Sequence, residues 1–272
     1  MSLLTWIIIF SLLGGVLSVL VAATFLLLPE HVRKTLVPHL VSFAIGSMLG
    51  AVFIGILPHA LAGQGVEDSH KIFLAVLLGL LTFFLLEKLV LWRHCHSDHC
   101  EAHAPDTHDH GHSHDDHDHD RPNKDAAGWM ILVGDGMHNL VDGVLIAAAF
   151  MTDIHLGIVT AVAITAHEIP QEVGDFVVLL HSGFSRKKAL LFNVLSSLTT
   201  IIGALLAYWW LDGMQHLLPY VLAVAASSFI YIAVADLIPG LHKRAKASET
   251  MQQIVLIAAG VALIYVANAT LH

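Results

Sequence analysis

Two segments of the sequence place imidazole, carboxylate and amide side chains in otherwise apolar surroundings. The first segment carries Asp135, His138, Asn139 and Asp142, and the second carries His167, Glu168, Gln171, Glu172 and Asp175. Imidazole and carboxylate groups together are typical ligands of zinc and other borderline-soft divalent metals. Because ionisable groups are costly in an apolar environment, they usually mark a pathway. The two segments therefore predict a path for a metal ion.

Helical spacing would bring four of these groups to one point. In a helix, His138 and Asp142 lie four residues apart and share a face, as do His167 and Gln171. If the two helices face each other, the four side chains converge on one ion. The sequence thus predicts a first metal site of two imidazoles, one carboxylate and one carboxamide.

A second ion is expected beside the first. Asn139 and Glu168 each lie one position round the helix from the first set and, with Asp142 shared, would flank this second ion. The alternative is a buried hydrogen-bond network that only locks the two helices together. So many ionisable groups are too costly for that role alone, which favours the metal path.

Composition indicates a membrane protein. Of the 272 residues, 56% are hydrophobic and 13% are charged, and the mean hydropathy is +0.72. A soluble domain carries roughly 25% charged residues. Much of the acid behind the net charge of -9 lies in one histidine-rich loop. The sequence has no basic face for nucleic acid, and two cysteines are too few for a disulfide scaffold.

Eight apolar runs are each long enough for a membrane-spanning helix, which needs roughly 20 residues. They cover residues 4–28, 36–61, 72–92, 128–151, 155–181, 188–211, 217–240 and 251–271. The first run is too long for a signal peptide and has no basic segment before it, so we expect it to be retained. Long continuous runs favour helices over the short alternating strands of a membrane barrel. We therefore expect an all-α integral membrane protein with a single eight-span domain over residues 1–272.

The basic residues set the expected orientation. With the N-terminus outside, 12 of the 13 Lys and Arg residues fall inside, and only Lys71 falls outside. The inside set is Arg33, Lys34, Lys88, Arg93, Arg121, Lys124, Arg186, Lys187, Lys188, Lys243, Arg244 and Lys246. Because inside loops are enriched in Lys and Arg, both termini are expected outside. The expected location is a bacterial inner membrane, which places the termini in the periplasm.

The segment from residue 94 to 124 is dense in potential metal ligands. These are His94, Cys95, His96, His99, Cys100, His103, His108, His110, His112, His114, His117 and His119. With few apolar residues to bury, the segment is expected to be a disordered loop on the inside face. Its irregular spacing favours weak metal binding or sensing over a rigid site. A solvated tether that is merely histidine-rich is the alternative.

The residues of the two polar segments resemble the ZIP (zinc- and iron-regulated transporter-like) family. The resemblance lies in HNLVDG (138–143) and HEIPQEVGD (167–175), and extends to LPHA (57–60), FNVLS (192–196) and ADLIP (235–239). It is closest to the subfamily with HEIPHE in the fifth helix, from which this chain departs at Gln171. The resemblance implies an eight-helix bundle with outside termini, in which helices one, four, five and six move as a block.

The resemblance also implies a binuclear metal centre between the fourth and fifth helices. Carried over by motif, the first site comprises His138, Asp142, His167 and Gln171, and the second comprises Asn139, Asp142, Glu168 and Asn193. A carboxamide is a weaker zinc ligand than an imidazole, so Gln171 bears on metal preference and affinity. A homodimer is one candidate assembly.

Five further residues lie where a metal could be admitted, held or released. Met48 in the second span is a candidate soft ligand of the first site, with an ordinary core methionine as the alternative. His59, near the outer end of that span, and the pair Asp153 and His155 in an outer loop are candidates for admitting metal. A plain interfacial histidine is the alternative for His59. His181, near the inner end of the fifth span, is a candidate for release.

We expect a transporter rather than an enzyme. The expected substrate is a divalent metal, with zinc as the main candidate and Cd²⁺, Fe²⁺ and Mn²⁺ as alternatives. The metal is expected to move inward, and no catalytic cofactor is expected. Partners are then metal ions and the lipid bilayer. Because no ATP-binding loop is present, movement must be driven by a gradient, either by facilitated diffusion or by coupling to another ion.

Two rival functions remain at this point. The first is a metal exporter of the cation-diffusion type, which also uses an HxxxD pair but typically has six spans and a soluble C-terminal domain. The second is an intramembrane zinc hydrolase, because residues 167–171 resemble HExxH. That motif needs a second histidine where this chain has Gln171, and an unbroken helix where it has Pro170.

Overall fold

All regular secondary structure in the described part of the chain is helical. The structure is a computed structural model and describes residues 1–94, 124–242 and 246–271. Its long helices are α1 (Leu3–Phe25), α2 (Glu30–Leu61), α3 (Ser69–His94), α4 (Lys124–Thr152), α5 (Ile154–His181), α6 (Arg186–Leu211), α7 (Gln215–His242) and α8 (Ala247–Leu271). Each apolar run predicted to be helical coincides with one of these helices to within a few residues. The histidine-rich segment 95–123, predicted to be a disordered loop, lies outside the described residues.

Within the described residues, six helices are long and apolar enough to cross a membrane: α1, α2, α3, α6, α7 and α8. The remaining two, α4 and α5, carry the ionisable residues that lower their hydropathy. The chain is thus a multi-pass membrane protein, and its described residues contain helices without strands.

Helix α2 begins earlier than its apolar run predicts. Its first turn is polar, and Glu30 forms an ion pair with Lys34 at 2.7 Å, one helical turn away. Pro29 precedes the helix as its N-cap. Because helices commonly begin with polar residues, hydropathy alone places their starts too late.

The contacts between helices give their relative directions. Thr199 of α6 donates a hydrogen bond to the Gly136 carbonyl, and Thr200 donates one to Asn139, so α6 runs parallel to α4. Helix α5 runs antiparallel to α4, because His167 lies beside His138 and the later Gln171 lies beside the earlier Asp135. We call the end of the bundle at which α2, α4, α6 and α8 begin the basic end, since the adjoining segments carry nearly all Lys and Arg residues.

Glycines allow α4 and α6 to approach until their backbones touch. A Cβ atom on Gly143 would lie 1.9 Å from the Thr200 carbonyl oxygen, and one on Gly203 would lie 2.1 Å from the Leu140 carbonyl oxygen. Small residues at a helix crossing are a common device for close packing in membranes. The close approach brings Thr200 within hydrogen-bond distance of Asn139.

A second tight pair joins α2 and α8. A Cβ atom on Gly46 would lie 2.0 Å from the Ile257 carbonyl oxygen, and one on Gly260 would lie 2.3 Å from the Phe43 carbonyl oxygen. Helix α3 packs on α7, where Tyr231 donates a hydrogen bond to Glu87. The bundle therefore contains closely packed helix pairs around α4 and α5.

We expect Gly143→Ala to destabilise the protein by about 1–3 kcal/mol, because the new methyl group overlaps backbone atoms of α6. Gly134→Ala on the same helix is the matched control, since a Cβ there has nothing within 4 Å and removes a helical glycine. Thermal unfolding of the two variants in detergent measures the difference. Equal unfolding temperatures would mean that the glycine contact does not set the α4–α6 spacing.

Candidate metal centre

Four ionisable side chains of α4 and α5 converge on one point. The Nε2 atoms of His138 and His167 are 3.2 Å apart. The Asp142 Oδ2 atom lies 3.7 Å from the His138 Nε2 atom and 3.2 Å from the His167 Nε2 atom. The Glu168 Oε1 atom lies 3.3 Å and 3.5 Å from the same two nitrogens. These atoms surround a point suited to a metal ion, and we call the four residues the histidine group.

The carboxylates of the histidine group are buried and have few hydrogen-bond donors around them. Asp142 and Glu168 are at most 1% exposed. Apart from the imidazole nitrogens, no donor among the described residues pairs with their oxygens. Burying a carboxylate without donors is strongly unfavourable, and a bound cation would offset that cost. The donor set of two imidazoles and two carboxylates therefore suits zinc or a similar divalent metal.

Contacts around His167 fix the orientation of its ring. Its Nδ1 atom lies 3.1 Å from the Ala163 carbonyl oxygen, one turn earlier on α5. A carbonyl partner favours a proton on Nδ1 and leaves the Nε2 lone pair for a metal. The Phe229 ring packs edge-on against the imidazole at 5.4 Å between centroids.

Asn139 is held by its neighbours rather than directed only at the histidine group. Its Nδ2 atom donates to the backbone and side-chain oxygens of Asp135 at 3.2 Å and 3.0 Å. Its Oδ1 atom accepts a hydrogen bond from Thr200 at 2.8 Å. Sequence reasoning missed Thr200, because a hydroxyl in an apolar helix gives no signal until the α4–α6 contact is known.

Gln171 also lies next to Asp135. Its Nε2 atom donates to the Asp135 Oδ1 atom at 3.4 Å, a long hydrogen bond. The two residues share a cavity of about 410 Å³ with His138. The carboxamide is thus on the side of the histidine group that faces the basic end.

A second group of carboxylates comprises Asp135, Glu172 and Asp175. One oxygen from each lies within 4.8 Å of the others. Sequence analysis placed all three in the polar segments but assigned none of them to a site. Their proximity depends on the antiparallel register of α4 and α5, which spacing within one helix does not reveal.

Two predicted ligands lie in the buried interior. Met48 is fully buried in the main apolar core. Asn193 on α6 is 2% exposed, and its Nδ2 atom has no hydrogen-bond partner among the described residues. It precedes Thr200 by two helical turns, so it is closer to the basic end than the Thr200–Asn139 contact. The assignments of Met48 and Asn193 to the metal centre stay predictions.

The end of the bundle opposite the basic end has a small cavity of about 240 Å³, lined by His59, Met151 and Thr152 among others. Asp153 caps α5 there by accepting hydrogen bonds from the backbone N–H groups of His155 and Leu156. Partial burial raises the pKa of Asp153, but these hydrogen bonds outweigh it, and the pKa lies below its ordinary value. His59 and Asp153 are thus at the end expected to admit metal.

His181 lies at the basic end, near the end of α5. It is exposed and lines a cavity of about 690 Å³ together with Arg33 and Lys34 of α2. Of the predicted loop ligands, only His94 belongs to the described helices, and the others lie outside the described residues. The roles of His181 and the loop stay predictions.

Comparison with known proteins accounts for the paired motifs on α4 and α5. The family model described as "ZIP Zinc transporter" matches residues 2–268. The chain belongs to the ZIP family. The resemblance inferred from the sequence motifs is therefore confirmed, and the family match does not support the cation-diffusion exporter or the zinc hydrolase.

Individual relatives of this ZIP family member are named as metal transporters. Zinc transporter ZIP13 of Pongo abelii is 30% identical over 234 residues, covering 82% of this chain and 64% of the relative. Zinc transporter ZIP13 of Mus musculus is 30% identical over 245 residues, covering 82% and 67%. Metal cation symporter ZIP14 of Mus musculus is 41% identical over 121 residues, covering 44% and 24%. The chain spans about two thirds of the length of the ZIP13 relatives.

Proposed function

We propose that the protein carries a divalent metal, with zinc as the preferred substrate, through the membrane by way of the histidine group. The observation that carries this proposal is the convergence of His138, His167, Asp142 and Glu168 within a helical membrane bundle. A hydrated cation would exchange its water for these ligands. Two imidazoles favour zinc over the hard cations, which prefer oxygen ligands alone.

All eight helices would cross the membrane in this proposal, with both termini outside. Helices α4 and α5 are 29 and 28 residues long, which exceeds the length of a membrane span. Their ionisable groups face each other, as expected of polar residues inside a membrane. The excess of Lys and Arg at the basic end supports placing that end in the cytoplasm. A bacterial inner membrane stays a prediction, since the relatives named above are animal proteins.

Import toward the basic end is the proposed direction. The cavity of about 410 Å³ extends from His138 past Asp135 and Asp175 to Asp236 of α7. On the opposite side, α4 is fully or almost fully buried from Leu145 to Phe150. The cavity on the side of the basic end and the packed layer on the other side support metal release into the cytoplasm.

Alternating access would then move α1, α4, α5 and α6 against the other four helices. Close glycine contacts join α4 to α6 within the first set and α2 to α8 within the second. Tight pairs of this kind favour movement as rigid units. A second ion between Asn139, Asp142 and Glu168 is part of the proposal, and the donor-poor oxygens of Asp142 and Glu168 are available to be shared.

Zinc uptake by proteoliposomes tests the function. We expect purified wild-type protein to carry zinc down its gradient without any chemical turnover, and we expect empty liposomes not to. Cells that express the protein should gain zinc, whereas a net loss of cellular zinc would indicate export. Hydrolysis without zinc flux would support an enzyme and contradict the proposal.

Uptake should slow as the pH falls below about 6, because an imidazole must be neutral to bind metal and a free imidazole has a pKa near 6.5. Measuring initial rates between pH 5 and 8 at a fixed zinc gradient, with free zinc held constant, checks this. A rate that stays flat on acidification would argue against histidine ligation.

A further inference from the structure

The carboxylate group of Asp135, Glu172 and Asp175 lies beside the histidine group on the side of the basic end. Asp135 precedes Asp142 by seven residues on α4, and Glu172 follows His167 by five on the antiparallel α5. At a rise of 1.5 Å per residue, these steps correspond to roughly 8–11 Å along the bundle. The nearest members of the two groups, such as His138 and Asp135, are three to four residues apart, or roughly 4–6 Å. The carboxylate group is therefore distinct from the histidine group and is displaced toward the basic end.

Glu172 gives independent evidence that this group binds a ligand. Its side chain is fully buried, and neither of its oxygens accepts a hydrogen bond from any residue that the structure describes. One of its oxygens lies within 4.8 Å of oxygens of Asp135 and Asp175. The Asp175 Oδ2 atom is likewise buried without a partner. Three ionised carboxylates at this spacing repel one another, and a cation between them would relieve that repulsion.

The cavity beside the carboxylate group gives a cation room to enter and leave. It has a volume of about 410 Å³ and is lined by Asp135 and Asp175 together with His138 of the histidine group. Residues Ile232, Asp236 and Leu237 of α7 complete one wall, within the wide helical turn Ile232–Leu237. Wide turns of this kind are frequent at functional sites. The same cavity therefore borders both groups.

We propose that Asp135, Glu172 and Asp175 form a second type of cation site, which holds a divalent cation through oxygen atoms alone. The site accepts the cation from the histidine group and passes it into the cavity at the basic end, a step that rests on the proposed function. Oxygen ligands suit Mn²⁺ and other hard cations, and they hold zinc less firmly than imidazole does. The weaker grip favours release.

Mn²⁺ binding to the purified full chain in detergent tests the site. Electron paramagnetic resonance measures bound Mn²⁺ in the wild type, in Glu172→Gln and Asp175→Asn, and in the control Glu67→Gln, which removes an exposed carboxylate outside the bundle. Because the histidine-rich loop is the same in every variant, its contribution cancels. We expect Glu172→Gln and Asp175→Asn each to bind about one Mn²⁺ fewer than the wild type, and Glu67→Gln to match it.

Two comparisons separate this inference from the proposed function. Asp142→Asn should still bind the Mn²⁺ ion that is lost in Glu172→Gln, because Asp142 belongs to the histidine group and not to the carboxylate group. Glu172→Gln should lower the maximal rate of zinc uptake by roughly 10-fold, with a smaller effect on KM. If the wild type takes up zinc but Glu172→Gln and Asp175→Asn bind as much Mn²⁺ as the wild type, the carboxylate site is overturned. The proposed function is then unaffected. A wild-type maximal rate of zinc uptake in both Glu172→Gln and Asp175→Asn would show that the carboxylate site does not lie on the transport path.

Discussion

Asp142→Asn is expected to lower zinc uptake into proteoliposomes by at least about 30-fold, the factor that corresponds to about 2 kcal/mol. The substitution keeps the shape of the side chain and removes its charge. Asp142 faces both imidazoles, and no other donor among the described residues pairs with its oxygens. Its charge should therefore act on the passing cation rather than on the fold.

Asp212→Asn is the matched control for Asp142→Asn, since it removes a charge from an exposed position between α6 and α7. We expect its uptake to equal that of the wild type. Asp142→Asn protein should also remain folded, because neutralising a buried, donor-poor carboxylate does not leave a charge without a partner. Wild-type uptake by folded Asp142→Asn protein would contradict the role of Asp142 as a ligand.

His138→Ala and His167→Ala are each expected to lower zinc uptake by at least about 100-fold, because loss of an outer-shell partner alone costs roughly 10–100-fold. The two Nε2 atoms are 3.2 Å apart, so both imidazoles should bind the same ion. The effects of residues that act as a unit are not additive. The double variant should therefore be little worse than either single variant.

Initial rates of zinc uptake for the wild type, both single variants and the double variant measure this coupling. His216→Ala, which removes an exposed imidazole near the start of α7, serves as the control and should transport normally. If the two single effects multiplied in the double variant, the imidazoles would act at separate points on the path. Such a result would contradict a shared ion.

The helices could be predicted from the sequence because each coincides with a long, mainly apolar run, which ionisable residues interrupt in α4 and α5. Their starts were less predictable where a polar turn extends the helix, as at Glu30 in α2. The pairing of His138 with Asp142 followed from their spacing on one helix, and the structure brings both to His167. Glu168 lies directly against both imidazoles, whereas Gln171 lies against Asp135.

The carboxylate group could not be predicted because it depends on how two helices align. Asp135 and Glu172 are separated by 37 positions in the chain and meet only in the antiparallel register of α4 and α5. The contact of Thr200 with Asn139 similarly depends on the glycines that let α6 approach α4. Spacing within one helix indicates which side chains share a face, and packing between helices decides which faces meet.

Anomalous diffraction at the zinc absorption edge, from crystals grown with zinc, tests the account most directly. We predict a peak between the Nε2 atoms of His138 and His167, about 2.0–2.2 Å from these nitrogens and from oxygens of Asp142 or Glu168. Ordered imidazoles and carboxylates that contact only protein, with zinc peaks confined to other parts of the chain, would contradict a metal path between α4 and α5.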